Sequence, residues 1–186
     1  MVAGPAGSKL RRAVFLDRDG IINESVVRNG KPYPPATLED VVILPGVKDA
    51  LERLRAAGYL TIVATNQPDV TTGKQLQSVV DAIHDMMRET LALDDIRACF
   101  CVEGPDCPCY KPKPGLLTEA AKDWKVELKQ SFMVGDRWRD VGAGQAAGCT
   151  TFFVDYGYHE DLTFTPDFTV SGLSEAADII ISGRAD

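Results

Sequence analysis

Short apolar runs alternate with amphipathic segments along the chain, an order that predicts an α/β domain around a parallel sheet. The first run, Ala-Val-Phe-Leu at 13–16, stops abruptly at Asp17-Arg18-Asp19-Gly20, as a buried strand does on entering a polar loop. After Pro45-Gly46, the apolar positions Val47, Ala50, Leu51, Leu54 and Ala57 share one helical face and Gly58 supplies a stop, so 47–57 reads as a helix. A second strand follows at 59–64. A long helix is predicted from about Lys74 to Leu91, with Val79, Val80, Ile83, Met86, Met87 and Thr90 on its buried side. Further strands are expected at 96–101, 131–134 and 150–154, with helices at 115–124 and up to Gly148. A short run at 167–170 and a helix from about Ser174 close the domain.

The link from Asn23 to Leu44 is long for a strand-to-helix connection, and Asn29-Gly30 within it is a hairpin-turn signal. An excursion at the carboxyl end of a strand lies where α/β proteins bind ligands. A length of 186 residues suits one domain with its own core, and 45% apolar with 25% charged residues excludes disordered, collagen-like and coiled-coil classes. Residues 1–10 read as a flexible tail and 11–186 as the single domain. The net charge of −7 opposes nucleic-acid binding, although a local cationic pocket for a small anion remains compatible with it. No apolar stretch reaches the ~18 residues of a membrane span, and the opening residues lack the features of a signal peptide. A cytoplasmic, reducing setting and a monomer are therefore expected.

That setting bears on the cysteines. Four of the five fall in Cys99-x-Cys101-x5-Cys107-x-Cys109, two close pairs around a short Gly104-Pro105 loop. Such pairs can fold around one tetrahedral ion, for which structural Zn²⁺ is the candidate, since four protein ligands leave no open position for water. Cys149 stands apart and reads as a small core residue.

The other candidate chemistry sits at strand ends. Asp17 and Asp19, two positions apart, could hold a divalent cation, one acting as nucleophile and the other as acid and base; a plain polar turn is the competing reading. Thr65-Asn66 follows the second strand, Lys111 lies in Tyr110-Lys-Pro-Lys-Pro-Gly115 after the third, and Asp136 follows the fourth. Strand ends of a parallel sheet lie side by side, so these groups should converge on one crevice. Carboxylates, a hydroxyl and an ammonium are the parts a phosphoryl-transfer site needs.

These motifs, Asp-Arg-Asp-Gly-Ile-Ile-Asn, Ala-Thr-Asn-Gln, Lys-Pro-Lys-Pro-Gly and Val-Gly-Asp-Arg, resemble those of haloacid dehalogenase-like phosphatases, in the family order. The resemblance runs from residue 13 to about 154. It is strongest to the subgroup holding the heptose 1,7-bisphosphate phosphatases and the histidinol-phosphate phosphatase domain. It implies a doubly wound, Rossmann-like parallel sheet without a cap, because neither usual cap position has more than about 30 residues to form one. It further implies Mg²⁺-dependent hydrolysis of a small phosphorylated sugar, with Asp17 as nucleophile and Asp19 as acid and base. Thr65 and Lys111 would hold the transferring phosphoryl group. Mg²⁺ would rest on Asp17, Asp136 and the Asp19 backbone carbonyl. Arg18, Asn66, Tyr110, Lys111 and Arg137 would contact substrate. The subgroup also has a zinc loop where the four cysteines stand, usually with a histidine at the position of Cys101.

Two departures bear on specificity. The heptose enzymes typically have arginine where this chain has Tyr110, and again where it has Thr72, so the substrate could be another phosphomonoester such as histidinol phosphate or a different sugar or polyol phosphate. Arg18, Arg28, Arg137 or Arg139 are the cations available to compensate. A phosphotransferase and a non-catalytic zinc-stapled module are the alternative classes. Lys113 reads as a surface residue and His84 as the exposed side of its helix, while His159 borders a strand-end loop. Asp140 could orient Arg137 or a metal-bound water, or form a helix-surface pair. Gly142-x-Gly144 is expected to permit close helix packing.

Overall fold

The structure is a computed structural model and describes residues 10–185. The expected tail thus lies outside the described residues except for Leu10, which is exposed. Six parallel strands form one sheet: β1 (Arg12–Leu16), β4 (Tyr59–Asn66), β5 (Asp95–Cys99), β6 (Phe132–Gly135), β7 (Thr150–Val154) and β8 (Phe168–Val170). Their spatial order is β5-β4-β1-β6-β7-β8. The chain therefore winds outward from β1 in one direction through β4 and β5, then crosses back to β6 and winds the other way. The reversal places a switch point between β1 and β6, where an open α/β sheet leaves a crevice at its carboxyl ends.

The pleat sorts the strand residues onto two faces. Val14, Leu16, Val63, Val134 and Phe152 pack with α1 (Val47–Ala56), α2 (Gln77–Thr90) and α5 (Leu173–Ile181). Ala13, Phe15, Ile62, Ala64 and Met133 pack on the other side with α3 (Gly115–Trp124). The same side takes α4 (Trp138–Ala147), brought close by a glycine: a Cβ on Gly144 would lie 2.8 Å from Met133 Cβ and 2.7 Å from Thr151 Cγ2. The packing role read for that glycine is what the structure shows. Strands covered on both faces explain why their sequence runs are continuously apolar.

Between β1 and α1 lies only a hairpin of β2 (Val26–Arg28) and β3 (Lys31–Tyr33), turning at Asn29 and Gly30 with φ of 52° and 74°. The Asn-Gly signal is met by the left-handed pair that such a turn requires. Between β5 and α3 lies only the cysteine loop, so neither interval holds a folded cap.

Some boundaries differ from the sequence reading. α2 starts at Gln77 rather than Lys74, because the N–H groups of Lys74 and Gln75 turn back to the Asp69 carbonyl. Thr90 is exposed and bonds its hydroxyl to the Met86 carbonyl, while His84 is in the buried stripe with Val80, Ile83 and Met87. β5 ends at Cys99 rather than at residue 101, where the cysteine loop turns away.

The α4–sheet contact leaves no room for a larger side chain. Gly144→Val should destabilise the fold by about 1–3 kcal/mol through overpacking. Urea unfolding measures this as a lowered midpoint with an unchanged slope.

Candidate active site

At the switch point the ends of β1, β4 and β6 surround a crevice of about 220 Å³. Asp17 directly follows β1, and its N–H bonds the Val134 carbonyl on β6, fixing the carboxylate over the sheet edge. Asp136 follows β6. Lys111 enters from the segment beyond the cysteine loop, through a cis Lys111–Pro112 peptide. Its backbone is pinned to β4 by Asn66, which accepts from the Lys111 N–H (3.0 Å) and donates to the Lys111 carbonyl (3.2 Å). The Lys111 ammonium donates to Asp17 Oδ1 at 2.8 Å and to Asp140 Oδ1 at 2.5 Å.

These groups are hidden from solvent: Lys111 is 2% exposed, Asp136 2% and Asp140 1%. Burial works against the Lys111 ammonium, but Asp140 and Asp17 beside it outweigh that and raise its pKa above the ordinary lysine value. Asp17 is pushed up to about 6, chiefly by burial, with Lys111 opposing and Asp140 and Asp19 adding to the rise. Burial, then the charges of Asp17 and Asp140, hold Asp136 well above the usual carboxylate range. With three carboxylates and one ammonium, the cluster carries a formal charge of −3 + 1 = −2.

The donor set suits a hard divalent cation. Oxygens of Asp17, Asp136 and Asp140 lie within 4.8 Å of one another, and both Asp136 oxygens are buried, with the Tyr158 hydroxyl as a neighbouring donor. Three carboxylates drawn this close repel one another unless a cation lies between them, and oxygen-only ligation is what Mg²⁺ prefers. Two glycines make the arrangement possible. At Gly20, with φ +89°, a Cβ would stand 2.0 Å from Asp136 Oδ2, and at Gly135 it would stand 2.1 Å from Asp140 Cβ.

Asp19 is held differently. Its carboxylate takes Arg18 Nη2 at 2.8 Å, Asn23 Nδ2 at 3.0 Å and Gln67 Nε2 at 2.9 Å. Burial alone would raise its pKa, but Arg18, Asn23 and Gln67 together hold it below the ordinary value. Gln67 also donates to Thr65 Oγ1 at 3.0 Å, linking the β4 hydroxyl to this carboxylate. Gln67 was not singled out from the sequence, although it lies two positions beyond Thr65 and so on the same side of an extended chain.

Arg18 departs from its expected place. It is wholly buried and does not line the crevice; its guanidinium grips Asp19 and reaches His84 Nε2 at 3.1 Å. Arginine can only donate, so that ring nitrogen accepts and His84 is neutral. His84, expected on the surface, is 4% exposed, because the Arg18 guanidinium needs an acceptor beneath the sheet edge. Burial first, then Arg18, depresses its pKa to about 4.

Thr65, Asn66, Tyr110, Arg137 and Arg139 all line the crevice, with Pro32, Tyr33 and Pro34 of the hairpin forming its opposite wall. Arg137 is bound by both arms to Glu160. Asp140, left open between two roles from the sequence, receives the Arg137 N–H at 3.0 Å as well as Lys111, so it anchors the first turn of α4 and the ammonium together. His159 is exposed, and its backbone N–H bonds the Gly30 carbonyl rather than entering the crevice.

The cysteine sulfurs converge within 4.8 Å of one another. Cys99–Cys107, Cys107–Cys109 and Cys101–Cys109 contacts measure 3.5, 3.5 and 3.8 Å, and Cys99 is joined to Cys109 as a disulfide. Lys113, read as a surface residue, is half-buried: its ammonium donates to the Gly104, Pro105 and Cys107 carbonyls, because the loop curls its carbonyls inward around one point. Gly115 abuts the same loop, where a Cβ would stand 2.3 Å from the Pro108 carbonyl oxygen. Cys149 is buried, and burial pushes its thiol up to about 12, consistent with a core residue.

The His84 shift has a sign that can be measured. His84 stays neutral in the fold until about pH 4, whereas an unfolded histidine takes a proton near pH 6.5. The unfolded state thus binds more protons between those values, and stability falls as pH drops through that window, by up to about 3 kcal/mol. His84→Gln keeps an acceptor for Arg18 and should flatten that part of the stability–pH curve, read by urea unfolding from pH 7 to 4.5.

Comparison with known proteins agrees with this geometry. The pattern of the haloacid dehalogenase-like hydrolases matches residues 25–148. The chain is 36% identical over 159 residues to the D-glycero-beta-D-manno-heptose-1,7-bisphosphate 7-phosphatase of Rhodopseudomonas palustris, covering 79% of this chain and 85% of the relative. The Pseudomonas aeruginosa protein of the same name is 34% identical over 152 residues, covering 79% and 83%. Among solved structures, the D,D-heptose 1,7-bisphosphate phosphatase of Bordetella bronchiseptica, complexed with magnesium and phosphate, superposes with a TM-score of 0.76 at 27% identity, covering 92% of this chain and 99% of that one. From fold, site and likeness together, the chain belongs to the haloacid dehalogenase-like hydrolases.

Proposed function

We propose that the protein is a Mg²⁺-dependent phosphatase that hydrolyses a small phosphorylated sugar, with the 7-phosphate of a heptose 1,7-bisphosphate as the leading candidate. The observation that carries this reading is the buried meeting of Asp17, Asp136 and Asp140 with Lys111 at the crevice floor. Asp17, Asp136 and the Asp19 backbone carbonyl would hold the ion, which offsets the cluster's charge so that an anionic carboxylate can approach an anionic phosphate. The names of the relatives support the substrate class.

The chain's own residues then divide the work. Asp17 attacks phosphorus, forming a carboxylate oxygen–phosphorus bond as the ester oxygen–phosphorus bond breaks. Lys111 and the Thr65 hydroxyl hold the phosphoryl oxygens as charge shifts between them. Asp19 gives a proton to the departing alkoxide and then takes one from the water that cleaves the acyl phosphate. At rest its proton affinity is held low by Arg18; an anionic phosphoryl group arriving beside it raises that affinity. Asn66 positions Lys111 through its backbone. Turnover of heptose 1,7-bisphosphate with Mg²⁺, read as released phosphate, tests the reading. Asp17→Asn should lower the rate at least about 10³-fold with the unfolding midpoint retained. Unchanged turnover would assign the attack to another group.

The four cysteines are proposed to hold one structural Zn²⁺. Zn–S bonds of about 2.3 Å give a tetrahedron with edges of roughly 3.8 Å, near the observed 3.5–3.8 Å contacts. Lys113 is well placed to offset the charge of a four-thiolate centre through the loop carbonyls. The Cys99–Cys109 disulfide is the competing chemistry, and a thiol count separates the two. Denatured under chelator without reductant, a zinc protein should release about one zinc per chain and show all five of its cysteines as thiols. A disulfide leaves three.

A further inference from the structure

We propose that Arg139 reads a second anionic group on the substrate, and that Glu103 of the cysteine loop tunes it. This rests on the phosphatase reading and deepens it by assigning the residue that would bind the second phosphate: one phosphate is attacked by Asp17 and the other is bound at Arg139.

The inference follows from which cations the crevice leaves free. Three line it: Lys111, Arg137 and Arg139. Lys111 is committed to Asp17 and Asp140 at the floor. Arg137 is engaged through two nitrogens by Glu160, a half-buried bidentate pair that a ligand would have to break twice. Arg18 is buried away from the crevice, and Arg28 leans over Tyr33 on the hairpin without lining it. Arg139 is different. Its guanidinium lies 4.4 Å from the centre of the Trp138 ring and 5.9 Å from that of Tyr110, aromatic faces that fix its plane while leaving its edge available. Its Nε is buried with no hydrogen-bond partner among the described residues.

Among the described residues, the one ion pair of Arg139, 2.8 Å from Nη2 to Glu103, is with a side chain that is 59% exposed. A wet pair of this kind contributes little stability, and a phosphate dianion, able to take two guanidinium N–H groups at once, exchanges with it readily. Tyr110 thus does not simply remove a cation from this wall. It supplies one of the faces against which a cation from α4 is held. Glu103 lies on the cysteine loop, so the order of that loop and the affinity of the second anion site are linked.

The experiment compares matched pairs of ligands, heptose 1,7-bisphosphate with heptose 7-phosphate and fructose 1,6-bisphosphate with fructose 6-phosphate. Binding is read by calorimetry in the Asp19→Asn protein with Mg²⁺, which keeps both carboxylates proposed to hold the ion and removes the acid–base group that turnover needs. The bisphosphate member of a pair should bind at least tenfold tighter. Arg139→Gln should erase most of that ratio, Arg139→Lys should restore part of it, and Glu103→Gln should raise bisphosphate affinity about two- to fivefold. The assignment is overturned if neither pair shows a bisphosphate preference, if neither pair binds, or if Arg139→Gln weakens both members equally. Turnover by the unaltered enzyme separates the two claims. Hydrolysis of the fructose pair alone, with an Arg139-dependent preference, would retire the heptose substrate and uphold the second anion site. Hydrolysis of heptose 1,7-bisphosphate without any Arg139 effect would do the reverse.

Discussion

Three carboxylates and one ammonium share a nearly dry space at the end of a parallel sheet, and that imbalance governs the site. A buried net charge of −2 is tolerated only if proton uptake or a cation relieves it. The raised affinities of Asp17 and Asp136 for protons are the first form of relief, and the close approach of the Asp17, Asp136 and Asp140 oxygens marks where the second would act. Lys111 cannot complete the compensation, because both carboxylates it touches compete for one charge.

The fold builds this cluster with small residues and borrowed backbone. Gly20 and Gly135 clear space for Asp136 and Asp140, and Asn66 spends both ends of its amide on the Lys111 main chain. The ammonium therefore reaches the floor from a segment that is otherwise tied to the cysteine loop, where Lys113 gathers three carbonyls. Two lysines separated by one proline thus serve neighbouring sites. Beneath Asp19, Arg18 and His84 form a buried support in which a neutral imidazole accepts from a guanidinium. The Asp19 carboxylate is thereby held apart from the other carboxylates although it is only two positions from Asp17.

Much of the architecture was legible in the sequence because strand and helix periods differ. The runs at 13–16, 59–64, 131–134 and 150–154 are continuously apolar since helices cover both faces, and Asn29-Gly30 marked the hairpin unaided. Convergence of residues 17, 65, 111 and 136 followed from strand ends lying side by side. What sequence pattern could not convey was direction. Arg18 and Asp19 are adjacent, yet one points beneath the sheet and the other into the crevice, and periodicity carries no information about a loop side chain's aim. Lys113 and His84 were misplaced for a related reason. Each is polar and each is drawn inward by one specific partner, the loop carbonyls or the Arg18 guanidinium, which only the folded chain brings near. The start of α2 was missed because the turn to the Asp69 carbonyl depends on no composition signal.

Calorimetric titration of the metal-free protein with Mg²⁺ asks whether Asp136 completes a divalent-cation site on the acidic floor, as proposed. About one ion per chain should be taken up with release of protons, and none measurably once residue 136 is an amide. Full-stoichiometry binding to the Asp136→Asn protein would overturn the proposal.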